Sequence, residues 1–258
     1  MAESDPFRLE GRRALITGAG GGIGKALVET FAAAGCAVIA ADRDKSMLDG
    51  LDCEHRVVFD LGDPQAIRAA VADLEAASLS PDILISNAGF ARAETLAQVD
   101  DDSWAAEMQI NLTGGFQLTQ PLVESMARRG GGSVVFISSV NALGYFGNPA
   151  YSVAKAGLVA LAKAIAVERG AAGVRANVVC PGSVRTGAWE HRLKLSPDLL
   201  TKVEPHYPLG RLVNPIEVAR ATLFLASDAA SGITGAVLPV DAGLTAGNLR
   251  FVREVLGS

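Results

Sequence analysis

The chain has 258 residues, 49% of them hydrophobic and 20% charged, which places it with globular proteins rather than disordered or fibrous ones and supplies material for a sizeable core. With 23 Lys and Arg against 28 Asp and Glu the net charge is -5 and no basic run stands out, so a nucleic-acid or anionic-membrane partner has no electrostatic footprint. Met1 to Arg13 lacks the order of a secretory signal, no apolar stretch approaches a membrane span, and Cys36, Cys53 and Cys180 are scattered without metal or disulfide spacing, so a cytoplasmic protein without a metal is expected.

In chain order, a short apolar strand, Ala14 to Thr17, runs into Thr17-Gly18-Ala19-Gly20-Gly21-Gly22-Ile23-Gly24 and then a helix, Ile23 to Ala34. A glycine turn between strand and helix exposes backbone N–H groups at a positive helix end, where a pyrophosphate is held. Its spacing is Gly18, Gly22, Gly24, a GxxxGxG form, with Gly20 inside it. The second strand, Ala37 to Ala41, ends on Asp42 and Arg43, where an acid is expected to bind the adenosine ribose and repel a 2′-phosphate. NAD is therefore expected over NADP, with Arg43 softening the preference.

Strand Val57 to Phe59, helix Pro64 to Ala76, strand Ile83 to Ser86 and a long helix, Ser103 to Arg128, follow, and Pro121 is expected to kink the last. Strand Val134 to Ser138, helix Tyr151 to Arg169, strand Val174 to Cys180, helix Ile216 to Ala226 and strand Ala236 to Val240 complete the pattern. Apolar runs alternating with helical periodicity predict an α/β fold, a doubly wound parallel sheet of about seven strands with helices on both faces. No linker divides it, so residues 1–258 are read as a single nucleotide-binding domain. The irregular, proline-bearing stretch 187–214 lies beyond a strand end and is expected to form a substrate lid.

Tyr151 and Lys155 are four apart at the start of a helix and so share a face. A phenol titrates near pH ~10, and a neighbouring ammonium favours its ionised form, so the pair can supply an acid/base. Alone the spacing is an ordinary helix-surface contact.

With Asn111 in the earlier helix, Ser138 at a strand end, Ser86-Asn87-Ala88-Gly89, Tyr151-Ser152-Val153-Ala154-Lys155 and Pro181-Gly182, Val184 and Thr186, the chain resembles the short-chain dehydrogenase/reductase family of compact type over nearly its whole length. The resemblance implies a doubly wound nucleotide-binding fold and hydride transfer between a nicotinamide cofactor and a secondary alcohol or ketone. It implies Tyr151 as proton donor and acceptor, Lys155 lowering its pKa and holding the nicotinamide ribose, Asn111 positioning a water, and Ser138 binding the substrate oxygen. Ser138 rather than Ser139 stands thirteen before Tyr151, the family's usual interval. Asp60 matches the acid that meets adenine, with Leu61 beside it, and Asn87, Ala88 and Gly89 pass along the adenosine half. Pro181, Gly182, Val184 and Thr186 would border the nicotinamide, Thr186 holding its carboxamide.

The substrate pocket is expected to be walled by Ser138, Asn141, Phe146, Ser183, Trp189 and His191, a mixture that suits a small polar alcohol, polyol or sugar derivative. His206 is expected on the surface or in a pocket wall. Leu158, Val159, Leu161, Ile165 and Val167 make the Tyr151 helix apolar around more than one face, and the family commonly forms tetramers through it, so a homotetramer is expected. A redox-sensing or scaffolding NAD binder on the same fold is the competing reading, which a complete acid/base set argues against.

Overall fold

The computed structural model describes residues 5–91 and 95–257; the side chains of Ala188 and His191 lie outside that description. Seven parallel strands form one sheet: β1 (Arg13–Thr17), β2 (Ala37–Asp42), β3 (His55–Val58), β4 (Ile83–Ser86), β5 (Gly132–Ile137), β6 (Val174–Pro181) and β7 (Val237–Val240), in the order β3-β2-β1-β4-β5-β6-β7. The chain builds outward from β1 to β3, then returns to β4 on the other side of β1. That reversal opens a crevice above the carboxyl ends of β1 and β4, where doubly wound sheets bind ligands.

Side-chain alternation divides the core. Ala14, Ile16, Val38 and Ala40 pack beneath α1 (Gly22–Ala33) and α8 (Pro215–Ala226), while Leu15, Ile39 and Ala41 pack against α2 (Pro64–Ala76), α4 (Gly114–Arg128) and α5 (Pro149–Arg169). Being covered on both faces explains why the central strands read as unbroken apolar runs. The edge strand β3 is largely exposed and sits two residues earlier than the predicted Val57 to Phe59.

Three expectations need correction. The long helix Ser103 to Arg128 is not one α-helix: α3 (Asp101–Met108) passes through a π turn at Gln109–Thr113 into α4, inside which Pro121 lies. The lid is not irregular, since it holds α6 (Gly187–Leu195) and α7 (Leu199–Val203). Finally, Pro149–Ala172 is long and apolar enough to cross a membrane by length and composition. It is nevertheless a sheet-packed helix: Ala150, Ala154, Leu158, Ala162 and Ile165 are buried, and it lies along β6. A short C-terminal helix, α9 (Leu249–Val255), closes the chain.

Candidate active site

The nucleotide crevice is built by turn geometry. Gly18 has φ +62°, and a Cβ there would stand 2.9 Å from the Ala88 Cα, so the turn and the segment after β4 are in backbone contact. A Cβ on Gly24 would lie 2.0 Å from the Gly18 carbonyl oxygen, and one on Gly22 would lie 2.6 Å from the Thr186 side chain. The Asn87 amide fixes the opposite wall by donating to the Thr17 carbonyl at 2.9 Å, while the Thr17 hydroxyl accepts from the N–H groups of Asn87 and Ala88 at 3.0 Å each.

Between these walls lies a cavity of about 460 Å³ lined by Gly18, Gly22, Ile23, Gly24, Asp42, Arg43, Asp60, Leu61, Asn87, Ala88, Gly89 and Thr186. Asp42 reaches it from the end of β2, its carboxylate accepting from the Gly20 N–H at 3.1 Å. Gly20 itself does not line the cavity. Its missing Cβ makes room for Met47, which would otherwise sit 2.4 Å away, so Gly20 serves the packing of the turn.

A second cavity, of about 710 Å³, shares Ile23, Asn87, Gly89 and Thr186 with the first and extends beneath the lid. It brings together Tyr151, Lys155, Ser138, Ser139, Asn141, Phe146, Pro181, Gly182, Ser183, Val184 and Trp189. The Lys155 ammonium lies 5.5 Å from the centre of the Tyr151 ring and donates to the Ile137 carbonyl at 2.9 Å. Burial pushes the Lys155 pKa down to about 8. Burial also pushes the Tyr151 phenol up to about 12, opposed by a hydrogen bond from Ser139 and reinforced by Cys180 and Glu107. In this geometry the Lys155 ammonium is turned to Ile137, and desolvation is the largest influence on the phenol.

The two serines divide differently from the thirteen-residue interval. Ser138 continues the alternation of β5, its N–H donating to Val179 O at 2.8 Å, so it faces α5 with Val134 and Phe136, and its hydroxyl donates to the Lys155 carbonyl at 2.8 Å. Ser139 leaves the strand and begins the turn Val140–Ala142, where its hydroxyl opposes the upward push of burial on the Tyr151 phenol. Both serines line the cavity, but the Ser138 hydroxyl is given to the Lys155 carbonyl, which leaves Ser139 as the hydroxyl that bears on the tyrosine. Asn141 ties this turn to α5: its Oδ1 accepts from Ser139 at 3.1 Å, and its Nδ2 donates to Gly147 O at 2.9 Å and Ser152 Oγ at 3.0 Å.

Asn111, on the π turn, does not line either cavity. Its Nδ2 donates to the carbonyls of Phe90 and Glu107 at 2.9 Å each, and its Oδ1 accepts from Phe90 N–H at 3.1 Å, so its side chain fastens the segment after β4. Gly89 fits against it: a Cβ there would be 2.6 Å from Asn111 Oδ1 and 3.2 Å from Lys155 Nζ. His191 on α6 has its side chain outside the described residues. The lid brings His206 into the wall, one of its two expected places, and adds Arg192 and Tyr207, which sequence reading did not assign to the substrate wall; the Tyr207 hydroxyl accepts from the Ser183 N–H at 3.0 Å.

Two joined cavities, one edged by a carboxylate and glycines without room for side chains, the other by a half-buried tyrosine and a buried lysine, fit a dinucleotide lying across the switch point. Residues 18–245 match the family model described as enoyl-(acyl carrier protein) reductase. An oxidoreductase of the short-chain dehydrogenase/reductase family from Burkholderia thailandensis superposes with a TM-score of 0.88 at 43% identity, covering 99% of each chain. A galactitol 2-dehydrogenase (L-tagatose-forming) from Cereibacter sphaeroides is 38% identical over 93% of this chain and 97% of its own. A gluconate 5-dehydrogenase from Burkholderia cenocepacia, solved with NADP and tartrate, superposes with a TM-score of 0.85 at 34% identity over 94% of this chain and 98% of that one. Fold, site and kinship agree, and the chain belongs to the short-chain dehydrogenase/reductase family of nicotinamide-dependent oxidoreductases.

Proposed function

We propose that the protein is an NAD-dependent dehydrogenase that oxidises a small polar secondary alcohol, a polyol or sugar derivative, and reduces the matching ketone. The observation that carries this reading is the convergence of Ser139, Tyr151 and Lys155 in a cavity continuous with the one that Asp42 borders. When bound, nicotinamide accepts or returns the hydride. Ser139 holds the substrate oxygen and Tyr151 takes or returns its proton. Lys155, buried beside the tyrosine, supplies positive charge and would hold the nicotinamide ribose when the cofactor is bound. Asn111 holds the Gly89 and Phe90 backbone against that lysine. Its side chain is committed to this clamp, which limits the water-positioning role implied by the family.

The NAD preference rests on charge: Asp42, Asp44 and Asp60 line the nucleotide cavity against the single cation Arg43 among the described residues. A 2′-phosphate would meet repulsion there. The gluconate 5-dehydrogenase relative was solved with NADP, so its cofactor does not support this part of the reading. The galactitol dehydrogenase relative supports a polyol substrate. We further propose a homotetramer, supported by apolar side chains on the outer faces of α4 and α5: Val167 is 84% exposed, Phe116 48% and Val153 47%. Light scattering tests it, a monomer being the contrary result. The free thiols Cys36, Cys53 and Cys180 fit the reducing cytoplasm proposed as its compartment.

The test is a panel of secondary alcohols, polyols and hydroxy acids with NAD and NADP, followed by the absorbance of reduced cofactor. Tyr151→Phe is expected to lose turnover while still binding NADH. Retained activity on a good substrate would refute the tyrosine chemistry. A protein that binds NADH but turns over no alcohol would favour the sensing or scaffolding alternative.

A further inference from the structure

The two cavities carry opposite charge. Three carboxylates line the nucleotide side, yet no Asp or Glu lines the cavity around Tyr151 among the described residues, where Lys155, Arg192 and His206 are present instead. In a chain of net charge -5 this is a local reversal of the overall balance. Lys155 is committed to the Ile137 carbonyl. Among the described residues Arg192 is not: its interaction there is with the Trp189 ring, its Cζ standing 4.9 Å from the ring centre. Trp189 is buried in the small lid core with Tyr207 and Leu212, so the ring is a fixed platform. Stacking occupies the flat face of a guanidinium and leaves its N–H edge free, the geometry that grips a carboxylate or phosphate with two parallel hydrogen bonds.

We propose that the substrate is an anionic hydroxy compound, a carboxylate-bearing polyol or its phosphorylated counterpart, whose anionic end is held by Arg192. This rests on the dehydrogenase reading above. The carbon at Tyr151 loses a hydride to the oxidised nicotinamide and its hydroxyl proton to the tyrosine, leaving a carbonyl. The anionic group takes no part in the bond changes and serves recognition alone. His206, in the same wall, adds a second donor.

The test pairs each acid with its neutral alcohol: gluconate with glucitol, threonate with threitol, glycerate with glycerol, and glycerol 3-phosphate as the phosphate arm. Turnover with NAD, and calorimetric titration into the NADH-loaded enzyme, are measured for the native protein, Arg192→Met and Arg192→Lys. The anionic member of a pair is expected to show kcat/KM about ten-fold or more above its neutral partner, a size suited to a charge-assisted contact open to solvent. Arg192→Met should abolish that preference through KM, leaving the neutral alcohol unchanged, and Arg192→Lys should restore part of it. The phosphate arm separates the two sources of anion, since preference for it over the acids assigns the end group as phosphate. Neutral alcohols turned over as well as the acids, or a preference that survives Arg192→Met, overturn the assignment and leave the dehydrogenase reading standing. Intact NADH binding with no turnover of any member overturns that reading and the assignment with it.

Discussion

Ser138→Ala and Ser139→Ala separate the two serines in a way that stability alone does not. Ser138 is buried and gives one hydrogen bond, at 2.8 Å, to the Lys155 carbonyl. Losing it costs about 1 kcal/mol, which for a chain of this size lowers Tm by about 2–4 °C. Ser139 accepts from the Asn141 N–H at 3.2 Å and donates to Asn141 Oδ1 at 3.1 Å, so its removal costs a similar amount of fold stability. What differs is Tyr151: the Ser139 hydroxyl bears on the phenol, lowering its pKa against burial, while that of Ser138 is given to the Lys155 carbonyl. With substrate bound, the single Ser139 proton must turn from Asn141 Oδ1 to the substrate oxygen, and losing that donor to an oxygen that gains charge in the transition state lowers kcat by about 10²–10³-fold. Steady-state kinetics on the best alcohol of the panel, beside thermal unfolding followed by circular dichroism, should show similar Tm losses for both variants and a collapse of kcat for Ser139→Ala alone. If Ser138→Ala loses kcat by that factor and Ser139→Ala stays near the native rate, the assignment by geometry is wrong.

Asp42→Ala removes the carboxylate nearest the glycine turn and should raise the kcat/KM ratio for NADP over NAD by about ten-fold; calorimetric titration of both nucleotides checks it, and an unchanged ratio would contradict the charge argument. Tyr151, pushed up to about 12, keeps its proton across the working range, whereas Lys155, pushed down to about 8, loses its charge above that pH. Ketone reduction should therefore be flat at neutral pH and fall above about 8, while alcohol oxidation, which needs the phenol to accept a proton, should rise toward alkaline pH, the apparent values belonging to the coupled pair. Profiles of kcat in both directions test this, and a reduction rate that climbs through the same range would contradict it. Glu217, bonded by Arg211 through both its oxygens at 2.8 Å and capping α8 at the Asn214 N–H, is held down to about 2 from its ordinary 4.5. Its folded pKa is depressed, so its contribution is fully present above the ordinary value and is lost as pH falls toward 2, worth about 1 kcal/mol after solvent screening. Glu217→Gln should be less stable than the native chain at pH ~6 and converge with it in strong acid; a gap that persists there refutes the linkage.

The parts of the site that were legible in the sequence are those fixed by short-range geometry. Gly18 takes φ +62° and a Cβ on Gly24 would strike the Gly18 carbonyl, so the turn itself demands both, and Gly22 follows as part of the same motif. Asp42 follows from the end of its strand, and Tyr151 with Lys155 from one turn of α5. What sequence reading missed depends on chain that returns from elsewhere. Gly20 is small because Met47, from beyond β2, occupies the space. The lid prolines resemble breakers, but Pro197 falls between α6 and α7, and Pro205 opens the short turn Glu204–His206, where a missing N–H costs nothing. Only once those helices exist does Arg192 stand over Trp189. The same holds for the serines: an interval counted along the chain selected Ser138, whereas the direction of alternate side chains on β5, set by packing against α5, gives the Ser138 hydroxyl to the Lys155 carbonyl and leaves that of Ser139 to the tyrosine. Groups that meet the cofactor and the proton thus come from strand ends and one helix turn, while substrate-wall groups such as Arg192, His206 and Tyr207 come from the lid. Exchange of lid side chains such as Arg192 can therefore redirect substrate choice without disturbing Tyr151 and Lys155, which are held from the opposite side by α5 and β5.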